Sequence, residues 1–316
     1  MTNVTNFNKT SIRKITINTD QEGQRIDNFL RKLLPGVPNS LIYKIIRDGQ
    51  VRVNSGRIKP LYRLKPKDIV RIPPVSIDRA PEIISSNLIK NIKSNILFEN
   101  SDFFVINKPP GIAVHSGTKI KHDIISSLRS LNKYKNIALV HRLDKNTSGC
   151  LIISKNYHTA STLGKIFKEN NVNKKYIALL SGQLKSKNIA INQPLLKEKQ
   201  NYKNSITISK EGKASSSVLT LKHQFKSSCL VDINIMTGRT HQIRVHSSSI
   251  GNPVCGDTKY GDIETNKQLR LFGLKRMFLH AQKISFFYKK DYIFEAKLPE
   301  DLSNVVKNLK YDKEEK

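Results

Sequence analysis

The chain has 316 residues, which allows one large domain or two unequal ones. It carries 55 Lys and Arg against 25 Asp and Glu, and a formal net charge of +30 attracts polyanions. Nucleic acid is favoured over an anionic membrane surface, because the sequence contains no long apolar run and no basic amphipathic anchor. The alternative is a solvated surface that is rich in Lys and Asn and has no such partner.

Cysteine usage and the N-terminal residues bear on the compartment. The first twenty residues are polar and lack the apolar segment of a signal peptide. The three cysteines, Cys150, Cys229 and Cys255, show no paired spacing. We therefore expect a cytoplasmic protein whose thiols are small buried groups, and neither a zinc site nor a disulfide framework.

The N-terminal quarter of the sequence predicts a small unit over residues 20–75. Residues 1–19 are polar and are predicted to be a flexible extension. Apolar residues then recur at the spacing of a helix, and turn residues separate short β-type segments. The predicted elements are a helix from residue 24 to Pro35-Gly36, a helix over 41–48 with Ser40 as its N-cap, a hairpin that turns at 54–56, and a strand over 69–72.

The remainder predicts a larger domain over residues 95–309. Residues 76–94 contain Pro81 among Ser, Asn and Lys and are predicted to be a linker, and residues 310–316 a charged tail. Helices are predicted over 123–131 and 158–170, and strands over 96–100, 103–106, 151–154, 175–181, 206–209, 216–222 and 229–235. Since the strands outnumber the helices and do not alternate with them, we expect an α+β fold with a mixed or antiparallel sheet and flanking helices.

The segment VHRLDKNTSG, residues 140–149, is the most informative part of the sequence. It places one carboxylate, Asp144, between Arg142 and a Ser-Gly turn, and an apolar strand follows at 151–154. Such a loop can hold a single acid in a fixed position, as a nucleophile or a base requires. The alternative for an isolated Asp in a loop is a turn or cap residue.

HRLDKNTSG resembles the signature motif of the pseudouridine synthases that modify ribosomal and transfer RNA. Three further segments resemble motifs of that family, namely NKPPGIAVH at 107–115, KKYIALLSG at 174–182 and TGRTHQIRVH at 237–246. The resemblance implies that a uridine loses its N1–C1′ bond and gains a C5–C1′ bond. Because nothing is added or lost in that isomerisation, no metal and no cofactor is expected.

The resemblance also assigns roles to individual residues. Asp144 is then the catalytic carboxylate, and the guanidinium of Arg244 keeps it ionised and aimed. Tyr176 stacks on the uracil and helps to remove the C5 proton. Arg142 fills the gap that a flipped uridine leaves, and the alternative for Arg142 is a salt bridge within its loop. Substrate contacts are expected from Lys108 and Arg239. The sequence assigns no chemical role to the histidines 115, 141, 241 and 246.

Residues 24–72 resemble the S4 RNA-binding domain in the order of their helices, hairpin and closing strand. The resemblance implies that basic side chains of this unit contact the phosphate backbone, which gives affinity with little sequence choice. The alternative is a set of ordinary solvated side chains. The residues expected to contact RNA are Arg25, Arg31, Tyr43, Lys44, Arg47 and Arg52.

The likeness extends over residues 20–305 to members of the family that modify 23S ribosomal RNA. We therefore expect a monomeric enzyme with 23S RNA as its partner, and the same reaction at other 23S uridines is the first alternative. A ribosome-associated binding factor without activity would not need Asp144, Tyr176 and Arg244 together. An RNA glycosidase or hydrolase is disfavoured, because no second acid stands in a comparable motif.

Overall fold

The structure is a computed structural model, and it describes residues 11–34, 37–75, 86–115, 123–134, 136–200 and 203–314. In these ranges the strands form a four-stranded sheet near the N-terminus, a ten-stranded sheet and a separate two-stranded hairpin. The α+β class and the mixed sheet expected from the sequence are confirmed.

The N-terminal unit consists of two helices and an antiparallel sheet in the order β1-β4-β2-β3. Apolar residues of both helices, spaced at helical intervals, share one core with Val53, Val70 and Ile72 of the sheet. The predicted helices, hairpin and strand are therefore confirmed. Their bounds are β1 Arg13–Thr16, α1 Ile26–Leu33, α2 Asn39–Arg47, β2 Arg52–Val53, β3 Gly56–Arg57 and β4 Ile69–Ile72, with a 3-10 helix at Thr19–Gln21.

Two expectations for this unit are wrong. Strand β1 pairs with β4 and places Ile15 and Ile17 against the core, so the predicted flexible extension does not include residues 13–17. Helix α2 begins at Asn39 after Pro38, and Ser40 lies inside it. Residues 1–10 and the predicted helix end at Pro35-Gly36 lie outside the described residues.

The predicted linker and tail also require correction. Helix α3, Ser86–Ser94, occupies the second half of the predicted linker, and its Ile92 is buried in the core of the large sheet. Helix α8, Glu300–Glu314, continues beyond Lys310, since Leu302, Val305 and Leu309 are buried at helical spacing. Residues 76–85 and 315–316 lie outside the described residues.

The large sheet has the order β10-β13-β14-β9-β15-β8-β6-β5, with β16 on β15 and β7 on β8. Its pairs are antiparallel except for β15 with β8, which run parallel. The strands are β5 Ile96–Glu99, β6 Phe103–Lys108, β7 Ala138–Leu139, β8 Ser148–Ser154, β9 Val172–Ser181, β10 Asn188–Ile191, β13 Ser217–Gln224, β14 Ser228–Ile235, β15 Leu279–Tyr288 and β16 Lys290–Glu295; β11 Leu195–Gln200 and β12 Lys203–Ile208 form the separate hairpin.

Helices cover this sheet, and its central strands are buried on both faces. Along β6, Phe104 and Ile106 lie in one core whereas Phe103 and Val105 lie in another, since alternate strand residues face opposite sides. Burial on both faces explains why the predicted central strands are continuous apolar runs. The remaining helices are α4 Ile124–Arg129, α5 Tyr157–Lys168, α6 Gln242–Ser249 and α7 Ile263–Leu271, with a 3-10 helix at Asn132–Tyr134.

Gly149 allows the one parallel strand contact of the described sheet. It is paired with Ala281 of β15, and its φ of 114° lies in the region that favours glycine. A Cβ at this position would overlap the carbonyl oxygen of Ala281 and lie 2.6 Å from its backbone nitrogen. The Ser-Gly end of the HRLDKNTSG segment therefore allows β8 to approach β15 directly after the Asp144 loop.

We predict that Gly149→Ala lowers the free energy of unfolding by about 3 kcal/mol or more, because both the backbone angle and the contact with β15 are incompatible with a side chain. Gly164→Ala is the control: Gly164 lies within α5 with no atom within 4 Å of a new Cβ, and alanine favours a helix by about 1 kcal/mol. Chemical denaturation measures both variants. Equal stability of the two would contradict the prediction.

Candidate active site

Asp144 lies in the loop that connects β7 to β8. The backbone carbonyl of Asp144 accepts the N–H of Thr147 at 3.1 Å, and the strand begins at the next residue, so the loop is short and anchored at one end. The side chain is 27% exposed and faces a cavity, open to solvent, that Tyr176 and Arg244 also line. A substrate base can therefore reach a carboxylate that is attached to a buried sheet.

Arg244 connects its own helix, the Asp144 loop and the turn at Asp257. Its Nη1 donates to Oδ2 of Asp144 at 3.1 Å, while its Nε and Nη2 donate to the two carboxylate oxygens of Asp257 at 2.7 and 2.8 Å. Burial lowers the pKa of Arg244, but its bonds to Asp257 and the two carboxylate charges raise it above the usual value. The structure brings Arg244 to Asp144 as expected, yet the bidentate partner of the guanidinium is Asp257.

Tyr176 is placed beside Asp144 by the order of the strands. It lies on β9 opposite Ile233 of β14, and β14 leads into the turn before α6, which carries Arg244. The ring of Tyr176 is buried and lines the cavity. Burial and the charge of Asp144 raise the pKa of the phenol, so its hydroxyl stays protonated at neutral pH.

His241 approaches Asp144 from the other side of the cavity. Its Nε2 lies 3.8 Å from Oδ2 of Asp144, and its Nδ1 lies 3.0 Å from the hydroxyl of Tyr260. The backbone of His241 has a φ of 55°, an unusual angle for a residue with a side chain. Burial lowers the pKa of His241 although Asp144 opposes that effect, so the imidazole is neutral at pH 7.

Sequence comparisons identify the family to which this site belongs. The family model of RNA pseudouridylate synthase matches residues 102–249, and that of the S4 domain matches residues 24–70. The ribosomal large subunit pseudouridine synthase C of Pasteurella multocida (strain Pm70) is 42% identical over 285 residues, which are 89% of this chain and 87% of that protein. The chain belongs to the RNA pseudouridylate synthase family. The protein of the same name from Escherichia coli (strain K12) is 42% identical over 283 residues, 87% of this chain and 89% of its own length.

Solved structures agree with this assignment. Human RNA pseudouridylate synthase domain containing 1 superposes with a TM-score of 0.54 at 28% identity, and the match covers 65% of this chain and 83% of that one. Human RNA pseudouridylate synthase domain containing 4 has a TM-score of 0.60 at 24% identity, over 71% of this chain and 96% of that one. The second likeness concerns the fold alone.

Lys108 of the synthase is not placed to contact a substrate. Its side chain is fully buried at the end of β6, and Nζ donates to the carbonyls of Pro109, Ile112 and Lys145 at 2.9, 2.9 and 3.0 Å. Burial lowers the pKa of Lys108 to about 7, while Asp144 opposes the shift, and three acceptors match the three donors of the ammonium form. The expected substrate contact is wrong: Lys108 connects the NKPPG turn to the Asp144 loop.

The two other expected substrate ligands remain accessible. Arg142 is exposed at the cavity rim, and no described residue forms an ion pair with it, which does not favour a salt bridge within its loop. Arg239 is exposed in the same cavity, where its Nε donates to the carbonyl of Ala214 at 3.1 Å. Both cations therefore lie at the accessible surface of the cavity that Asp144 faces.

The expected RNA contacts of the S4 unit divide into two groups. Arg25 and Arg31 form ion pairs with Asp27, whose carboxylate also accepts the hydroxyl of Tyr43 at 2.9 Å. These partners reduce the charge that both arginines offer to phosphate. Lys44 and Arg47 are exposed on α2, and Arg52 is exposed and donates from Nε to the carbonyl of Gly49 at 3.2 Å.

Sequence reasoning missed Asp257 and His241 at this site. Asp257 follows Gly256 in a Gly- and Asp-rich turn, a pattern that indicates a fixed loop but not its partner. The other histidines fit the expectation that they are structural where a partner is seen. His141 accepts the N–H of Ile152 at 3.0 Å, and His246 lies 2.9 Å from both Ser217 Oγ and the carbonyl of Gln193.

The described residues give three further facts about the site and its surroundings. They contain no group of three or more His, Cys, Asp or Glu side chains that could hold a metal ion. Among the described helices, none is long and apolar enough to cross a membrane. The three cysteines are buried free thiols, as the sequence predicts.

We predict that Lys108→Met lowers the free energy of unfolding by about 3 kcal/mol or more and lowers activity, because three buried carbonyls lose their donor and the Asp144 loop loses an anchor. Lys267→Met is the control, since its ion pair with Glu264 is exposed and its loss should change stability by about 0.5 kcal/mol or less. Denaturation and uridine conversion are measured for both. A Lys108→Met variant of unchanged stability would rule out the anchoring role.

Proposed function

We propose that this synthase converts specific uridines of 23S ribosomal RNA to pseudouridine, with Asp144 as the catalytic carboxylate. The observation that carries the proposal is the Arg244–Asp144 contact in a cavity that Tyr176 also lines. Three segments that are distant in the sequence supply one half-buried, accessible acid, its cation and an aromatic face. The names of the relatives, ribosomal large subunit pseudouridine synthase C, support the choice of RNA.

The chemistry requires one carboxylate near C1′ and a way to retain the free uracil. The N1–C1′ bond breaks, the base turns within the cavity, and C5 bonds to C1′. The C5 proton passes to solvent and N1 takes up a proton, so no atom is gained or lost overall. Asp144 either adds to C1′ or assists formation of a glycal, and in both routes its negative charge faces positive charge that develops on the sugar. Tyr176, protonated and buried, holds the uracil by stacking during the turn. A phenol that keeps its own proton does not accept the C5 proton, so the role in proton removal expected for Tyr176 is not part of this proposal.

RNA binding is divided between the two parts of the chain in this proposal. The unit at 20–75 supplies phosphate contacts through Lys44 and Arg47, which are exposed, and the part at 95–309 supplies the chemistry. The charge of +30 increases the rate of encounter with RNA. We place the enzyme in the cytoplasm as a monomer that needs no cofactor.

Two other functions fit the site less well. A binding factor without activity has no use for Asp144, paired with Arg244, beside a buried Tyr176. A glycosidase uses two working carboxylates. The structure does bring a second acid, Asp257, to the site, contrary to the sequence-based expectation, but its side chain is 1% exposed and is held by Arg244. Modification of other 23S uridines, as by a synthase of the D type, differs only in target.

We predict that Asp144→Asn reduces kcat by roughly three orders of magnitude or more while the fold and the affinity for RNA persist, because one carboxylate carries the reaction. Release of tritium from C5-labelled RNA measures turnover. Asp291→Asn, at an exposed position of the β15–β16 hairpin, should retain full activity. Activity of the Asp144→Asn variant within about tenfold of wild type would remove Asp144 from the mechanism.

We predict that Arg142→Ala lowers kcat/KM on a structured 23S fragment by about tenfold more than on a short single-stranded oligonucleotide. Opening a stack costs a few kcal/mol, and Arg142 would offset part of that cost by filling the gap. An unpaired uridine needs no such support. Equal losses on the two substrates would reject the base-flipping role of Arg142.

A further inference from the structure

Asp257 holds Arg244 more tightly than Asp144 does. The guanidinium gives Asp257 two short hydrogen bonds, 2.7 and 2.8 Å, and gives Asp144 one of 3.1 Å. The Asp257 side chain is 1% exposed, whereas that of Asp144 is 27% exposed. The arginine is therefore attached to the buried acid and only touches the accessible one.

Asp257 is itself held by its own turn. Its Oδ1 accepts the backbone N–H groups of Lys259 and Tyr260 at 2.8 and 3.3 Å, and its backbone carbonyl accepts the side-chain amide of Asn266 at 3.2 Å. Burial would raise the pKa of Asp257, but the bonds from Arg244 and Lys259 hold it below the usual value. Asp257 thus remains an ionised and fixed acceptor throughout the working pH range.

From these contacts we propose that Asp257 is a positioning residue, which anchors Arg244 so that one N–H of the guanidinium meets Asp144 while the rest of that carboxylate stays free for the sugar. This inference rests on the proposed function. Without Asp257, the planar guanidinium would be free to form a bidentate pair with Asp144 or to turn away from it. Either change would alter the orientation of the Asp144 carboxylate toward the sugar.

The Arg244–Asp257 ion pair also keeps a counter-charge beside the buried guanidinium during the reaction. Arg244 is only 11% exposed, and an unpaired cation at that depth is costly. When Asp144 uses its charge at the sugar, Arg244 still has the charge of Asp257 beside it. Arg244 can then remain in place through the cycle, and its ring contact with Tyr260, 5.0 Å from the guanidinium carbon to the centroid, is kept.

Asp257→Asn tests the proposal, because the amide oxygen can still accept the N–H of Lys259 while the amide nitrogen opposes a donor of Arg244. We expect kcat at saturating RNA to fall by about a hundredfold and KM to change by less than about threefold. Asp301→Asn is the matched control, since it breaks a bidentate pair with Arg276 at 2.6 and 3.1 Å outside the cavity, and it should retain wild-type kcat.

A double mutant separates positioning from general stability. A lysine at position 244 cannot form the two parallel hydrogen bonds that Arg244 gives Asp257, so in an Arg244→Lys background Asp257 has no guanidinium to position. Adding Asp257→Asn to that background should therefore lower kcat by less than about threefold further. A loss of kcat by the same factor in both backgrounds, or wild-type kcat in Asp257→Asn, overturns the proposal.

Asp257→Glu keeps the charge and guards against a failure of the first variant to fold. The added methylene moves the carboxylate that holds the guanidinium of Arg244, so we expect a folded enzyme whose kcat is reduced at least about tenfold. A wild-type kcat for this variant would count against the positioning role. Wild type and Asp144→Asn are assayed in parallel. An inactive wild type overturns the proposed function together with this inference, whereas active wild type with fully active Asp257 variants overturns the inference alone.

Discussion

One guanidinium, that of Arg244, holds the active site together. It contacts Asp144, in the loop before β8, and Asp257, which lies 113 positions after Asp144 in the chain. Arg244 itself lies on α6, which follows β14, and β14 pairs with the strand that carries Tyr176. A cation that is mostly buried is stable only with partners, and here two carboxylates share it. The more exposed of the two acids is Asp144, the residue that the proposed reaction uses at the sugar.

This contact depends on the order of the central strands. Strand β9 lies between β14 and β15, and β15 runs beside β8, so the residues that precede β8 and follow β14 meet at one edge of the cavity. Gly149 permits the close approach of β8 to β15, and Lys108 joins the neighbouring turn to the Asp144 loop. Backbone packing and a buried lysine thus limit the position of the Asp144 loop.

The net charge of the protein does not tell which of its cations are available to a partner. Several cations that the sequence predicts to contact RNA instead have partners within the protein. Arg25 and Arg31 form ion pairs with Asp27, and Lys108 donates to buried carbonyls. Arg142 and Arg239 remain exposed at the cavity, and the proposed function assigns them to contact with the RNA. Net charge therefore describes attraction at a distance, whereas the contacts depend on which cationic side chains remain exposed.

Sequence alone determined the family, through a motif of nine residues around Asp144, and most helices and strands, through the periodicity of apolar residues. It also indicated Arg244 and Tyr176, because each stands in its own recognisable segment. Only the tertiary structure decided that Asp257 and His241 join them, and that Lys108 is internal. The physical reason is that local patterns report burial and turns along the chain, while an ion pair or a hydrogen bond between residues a hundred positions apart depends on strand order. The polar sequences of β1, α3 and the end of α8 carry little periodic signal. The sequence therefore predicts an extension, a linker and a tail at positions where the structure has a strand and two helices.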